Sequence, residues 1–307
     1  MRPVPAAPER NTSTATASSS ERGAVRLLGR VWDTLYTTLG LAWLEIATPR
    51  RGYTRERGIA YGPHPRHRLD LYLPDALTDF APALVFLYGG GWRSGTRKIY
   101  RFVGQCFASA GLPVAIPDYR VYPQTIFPGF VEDAAGAVAW VARNLAAPDG
   151  SARPLVLVGM SAGAHMAALL HLDPRYLKAA GLVECPIAGT VGLCGPYNFL
   201  PIQDPEYQPI FPRESDRDSQ PIDFVTGAAP PMLLLTGDAD TTVSPENTRS
   251  LAAAIRDTGG TVRETILPGV DHLAPLLALA AAIPGRKLPV RSAILGFIRD
   301  VTGFVPH

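Results

Sequence analysis

The residues with the clearest chemical capability lie in Gly159-Met160-Ser161-Ala162-Gly163, a Gly-x-Ser-x-Gly pentapeptide. A serine hydroxyl is a weak nucleophile until a base takes its proton and a third group orients that base. Two later stretches offer such partners, Asp238-Ala239-Asp240 and Gly269-Val270-Asp271-His272. Asp240 lies deeper in its loop than Asp238 and is the expected orienting acid, whereas Asp238 suits a turn or cap. Asp271 adjoins His272 in sequence, a poor position from which to orient the same ring. A fourth stretch, Tyr88-Gly89-Gly90-Gly91-Trp92, places three glycines in a row, costly in backbone entropy unless something uses them. A plain turn is one use. The other is to aim bare amides at a developing negative charge.

Each of these stretches follows an apolar run. Leu155 to Val158 has no alternation and reads as a buried strand, and Ala164, Met166, Ala167, Leu169 and Leu170 begin a helix at once. Ser161 therefore sits on a sharp strand-to-helix turn, with small Gly159 and Gly163 beside it and the Ala162 amide at a helix N-terminus. His165 and His171 fall on that helix, so their side chains should run along it and not back over the serine. Ala83–Leu87, Pro113–Pro117, Thr190–Gly195, Pro231–Gly237 and Val262–Leu267 read as further strands, separated by helical patterns. This alternation predicts an α/β fold, a mostly parallel sheet with helices on both faces. Residues 53–61 and 69–73 predict an antiparallel N-terminal strand pair, with His64 and His67 solvated at its turn. The proline-rich stretch at about 196–230 reads as an insertion above the sheet, and stretches at about 273–283 and 287–302 read as closing helices.

Composition bounds the function. The chain has 307 residues, 47% hydrophobic and 18% charged, enough for a large core. A net charge of +2 gives no nucleic-acid footprint. Cys106, Cys185 and Cys194 read as buried free thiols, no Cys/His cluster has metal spacing, and no cofactor or metal is expected. No apolar run reaches about 18 residues and no secretory pattern opens the chain, which predicts a cytoplasmic protein. Residues 1–22 read as a disordered tail and 23–52 as an amphipathic helical segment, a cap or lid, with 53–307 as the main domain. The stripe within 24–47 (Leu28, Val31, Trp32, Leu35, Leu39, Trp43) suits packing on the domain, and a membrane surface is the less favoured partner.

Taken in order over about residues 53–303, these pieces and Asp118-Tyr119-Arg120-Val121-Tyr122-Pro123 resemble the esterases and lipases of the α/β-hydrolase superfamily. They are most similar to the hormone-sensitive-lipase-like and feruloyl-esterase-like (BD-FAE-type) carboxylesterases. The resemblance implies Ser161 as nucleophile, His272 as base, Asp240 as acid, and amides of Gly90, Gly91 and Ala162 as oxyanion donors. It implies a small-molecule ester substrate, with Arg120 bracing loops. The family usually opens its glycine motif with histidine, and Tyr88 stands there instead. Trp92, Tyr119, Tyr122, Tyr197 and Phe199 are the candidate substrate-binding residues, an aromatic lining suited to an acyl group of short to medium chain or an aryl group. Rival readings are an amidase or formamidase with the same triad, a lipase at a membrane surface, and a non-catalytic binding module.

Overall fold

Apolar runs without alternation become strands buried on both faces, because helices cover each side of a parallel sheet. The computed structural model describes residues 40, 43–182, 184, 187–213, 216–283 and 288–306, nearly all of them within one compact unit, Leu44–His307. The expected tail, nearly all of the 24–47 stripe and Cys185 lie outside the described residues. The strands are β1 (Tyr53–Ala60), β2 (Arg68–Pro74), β3 (Ala83–Leu87), β4 (Val114–Pro117), β5 (Leu155–Met160), β6 (Ile187–Leu193), β7 (Met232–Gly237) and β8 (Val262–Leu267). They form one eight-stranded sheet in the order β1-β2-β4-β3-β5-β6-β7-β8. β2 pairs antiparallel with both β1 and β4, and every other pairing is parallel. Every residue of β3, β4, β5 and β7 is buried.

The helices are α1 (Arg101–Ala108), α2 (Gly129–Asn144), α3 (Ala162–Leu172), α4 (Pro174–Ala179), α5 (Glu246–Asp257), α6 (Ala274–Leu277) and α7 (Val290–Thr302). All eleven residues of α3 are buried, so it is the central helix of the fold, and His165 and His171 are its only polar side chains. The helix expected at about 273–283 is a single turn, α6, followed by turns. Apolar content there reflects burial against the sheet, not helical length.

The turn after β1 also differs from expectation. His67 is half-buried, stacks on Tyr61 with ring centroids 5.1 Å apart, and places Nε2 3.0 Å from the Asp133 carboxylate. It joins the strand pair to α2, whose Asp133 also binds Arg120 bidentately at 2.9 and 2.7 Å. Sequence near the turn cannot reveal a partner some sixty residues away.

Two histidines on α3 are buried and neutral. His165 donates from Nε2 to the Ser219 carbonyl (2.7 Å) and His171 to the Pro230 carbonyl (2.9 Å). Burial pulls each imidazole down to about 4, outweighing the carbonyl that favours its charged form. The unfolded chain takes up these protons below about pH 6.5, while the folded chain resists until about 4. Their contribution is therefore complete above pH 6.5 and is lost progressively as pH falls toward 4. Urea unfolding at pH 7.5 and 4.5 should show a loss of about 3 kcal/mol per histidine. His171→Gln should flatten that slope by about half, and an unchanged slope would contradict the assignment.

Candidate active site

The turn between β5 and α3 is tight because its neighbours allow nothing else. A Cβ at Gly159 would overlap the backbone of Gly163 and Ala164, and one at Gly163 would overlap the Leu87 and Tyr88 carbonyls. Between them, Ser161 is held at φ 54°, ψ −121°, a strained setting for an L-residue. This conformation lifts its hydroxyl off the sheet at the start of α3.

Loops at the carboxyl ends of β7 and β8 bring the two partners over it. His272 Nε2 lies 3.0 Å from Ser161 Oγ, and its Nδ1 lies 2.7 Å from Asp240 Oδ2. The other oxygen, Oδ1, accepts from the amides of Thr242 and Val243, each at 2.9 Å. Burial alone would raise the Asp240 carboxyl. The hydrogen bonds from His272 and the two amides, with the imidazole's charge, instead hold it below the usual carboxylate range. Asp238 is exposed and accepts from the Gly269 amide at 2.6 Å, which ties the β7 and β8 loops together. Asp271 accepts from the Ala274 amide and so starts α6. Neither touches the imidazole in these contacts.

The glycine run leaves β3 beside the elbow. Gly90 and Gly91 have φ 133° and 58°, and Gly90 O closes the turn by accepting from Arg93 and Ser94. Among the described residues, no protein group accepts from the amides of Gly90, Gly91 or Ala162. Tyr88 anchors this loop from below. Its hydroxyl donates to Asp118 (2.8 Å) and accepts from Arg66 (3.0 Å), its carbonyl accepts from Tyr119 (2.7 Å), and its ring stacks between Tyr100 and Tyr119. The phenol thus holds the loop with both a donor and an acceptor role.

The five candidate lining residues separate. Tyr119 and Tyr197 have no exposed surface. Tyr119 braces the glycine loop, and Tyr197 packs in the core with Ala164, Ala168 and Leu234. Both belong to the interior and not to an open wall. Tyr122 is half-buried beneath the Arg93 guanidinium, and Phe199 is half-buried against Trp92. Trp92, at φ 57°, is the hub of an aromatic cluster with Phe130, His165, Phe199, Tyr207 and Phe211. Sequence reading missed Tyr207, whose hydroxyl is the group nearest any side chain placed on Gly91. Cys194 is the buried free thiol the sequence suggested, as is Cys106, but its place just past β6, at φ 50° and beside the His-Asp pair, was not foreseen. Ligand-type atoms of Cys194, Asp240 and His272 lie within 4.8 Å of one another. Burial, then the Asp240 charge, pushes the thiol up to about 12, so it stays protonated.

This fold, with a serine elbow under a His-Asp pair and a glycine loop, defines an α/β-hydrolase. Within that superfamily the chain belongs to the BD-FAE family, whose model matches residues 69–255. It is similar to isoprenylcysteine alpha-carbonyl methylesterase ICME of Arabidopsis thaliana, 32% identical over 238 residues, covering 70% of this chain and 56% of that one. It is also similar to esterase LipC of Mycobacterium tuberculosis, 32% identical over 279 residues, covering 83% and 67%. The chain spans about half the length of the first of these relatives. Among solved structures, esterase B from Lactobacillus Rhamnosis (HN001) shares the fold at TM-score 0.72 and 19% identity, covering 91% of this chain and 95% of that one. No described helix is long and apolar enough to cross a membrane.

Proposed function

We propose that the chain is a serine carboxylesterase acting on small esters through an acyl-enzyme. The observation that carries this reading is the line of contacts from Ser161 through His272 to Asp240, at 3.0 and 2.7 Å. Ser161 Oγ attacks the ester carbonyl carbon as His272 Nε2 takes its proton. Asp240 stays ionised, holds the Nδ1 proton and stabilises the imidazolium. The carbonyl oxygen becomes an oxyanion, held by the amides of Gly90, Gly91 and Ala162, each worth about 3 kcal/mol. The tetrahedral carbon expels the alcohol, which takes the proton back from His272. Water, deprotonated by the same imidazole, then releases the acid.

Relatives named methylesterase and esterase support the ester as substrate. Trp92 and its packed cluster beside the glycine loop favour a short acyl or an aryl group over a long chain. A panel of p-nitrophenyl esters from C2 to C12, with an aryl formamide alongside, tests both points. Highest kcat/KM at C2 to C6 is expected. Preference for the formamide, or no turnover of any ester, would overturn the reading.

Asp240→Asn should lower kcat by about 10⁴-fold, because the amide presents a donor to Nδ1 and favours the wrong tautomer. Asp238→Asn should change kcat less than tenfold. A reversed order in steady-state kinetics would move the acid to Asp238.

A further inference from the structure

At the β1 edge of the sheet, a cavity of about 320 Å³ is lined by Arg50, Tyr53, Arg55, Arg57 and Arg101. The proposed triad uses none of these residues. Four guanidiniums in one cavity repel one another unless anions compensate them. Two carboxylates face them among the described residues. Glu45 Oε1 lies 2.7 Å from Arg55, 3.5 Å from Arg57 and 3.8 Å from Arg101. Asp70 lies 2.8 Å from Arg55 and equally close to Arg97, which also pairs with Asp118 outside the cavity. Two carboxylates thus answer four guanidiniums, and only Glu45 lies against Arg57 and Arg101.

The buried members still have donors to give. The side chains of Arg55 and Arg101 are only 9% and 5% exposed, yet the Nε of each has no hydrogen-bond partner among the described residues. A buried guanidinium N–H without a hydrogen bond is costly to leave so, and the 3.8 Å from Arg101 Nε to Glu45 is too long for one. Arg101 is fixed in place by donating from Nη2 to the Ile46 and Thr48 carbonyls, and Arg55 by its two ion pairs and the Tyr72 ring beneath it. Arg50 and Arg57 are exposed, with room to close over a ligand.

We propose that this cavity binds a multivalent oxyanion of the phosphate class, gripped by Arg50 and Arg57 against the preset Arg55 and Arg101. Guanidinium donors match phosphate oxygens in pairs, and a dianion compensates four guanidiniums that two carboxylates leave positive. The volume admits a free phosphate or the phosphate of a lipid headgroup.

The test uses the full chain and inorganic phosphate, and reads binding, so its outcome is independent of ester turnover. At 10 mM phosphate the melting temperature should rise by about 3 °C relative to potassium chloride of equal ionic strength. The R50Q/R57Q double variant should fold normally, since both side chains are exposed, and should lose the shift. Vesicles separate the two sources. Co-sedimentation with phosphatidic acid in phosphatidylcholine, reversed by phosphate and absent with phosphatidylcholine alone, assigns a headgroup. A phosphate shift without co-sedimentation assigns a soluble anion. No shift beyond chloride, or the same shift in R50Q/R57Q, overturns the proposal.

Discussion

Replacing Ser161 by alanine is expected to lower kcat/KM for an ester by about 10⁴- to 10⁶-fold and leave the fold intact. The large loss follows from geometry. The only hydroxyl within reach of His272 Nε2 among the described residues is Ser161 Oγ, at 3.0 Å. In the proposed mechanism the imidazole is then left to activate water, and a substrate held by the glycine-loop amides has nothing placed to attack it. The same position offers a second reading of the strain at φ 54°. Ser161→Gly should be equally inactive but more stable in urea by about 1 kcal/mol, because glycine adopts that φ at little cost. A fluorophosphonate probe should label the wild-type chain at Ser161 and neither variant. Turnover within tenfold of wild type in Ser161→Ala would remove the nucleophile from the mechanism.

The second large effect comes from a residue with no side chain. Gly163→Ala puts a Cβ into the carbonyls of Leu87 and Tyr88, which belong to β3 and to the loop leaving it. Both are backbone groups and neither can swing aside, so α3 must retreat from the sheet. The expected cost exceeds about 3 kcal/mol, outside the common range for a single exchange. The retreat also carries the Ala162 amide away from Gly90 and Gly91, so kcat should fall by at least about 10²-fold in molecules that still fold. Gly296→Ala is the control. It lies within α7 with nothing within 4 Å of a Cβ, and should gain up to about 1 kcal/mol from helix propensity. Equal melting temperatures for Gly163→Ala and wild type would refute the steric account.

The parts readable from sequence are those in which function and local structure coincide. The elbow is legible because strand, small residue, serine, small residue and helix succeed one another within 155–172. The strand ends name the loops that carry Asp240 and His272, since ligands of open α/β sheets meet at the carboxyl ends of strands. The parts that are not legible depend on distant partners. Nothing near His67 announces Asp133, and nothing near Trp92 announces Phe211. Tyr119 and Tyr197 come after strand ends as lining residues do, but their rings turn inward, the first to a carbonyl and the second into the core. The short α6 shows a further limit, because an apolar stretch reports burial whether or not it is helical.

Trp92 belongs both to the glycine loop and to the cluster that seats Phe199, Tyr207 and Phe211. One indole therefore links the packing of those three rings to the position of the glycine loop. Divergence among descendants of such a chain is constrained accordingly: an exchange that loosens Phe199 or Phe211 also shifts the glycine loop through Trp92. Freedom to diversify rests with exposed neighbours such as Gln203 and Gln208, and a library seeking new selectivity has its room there.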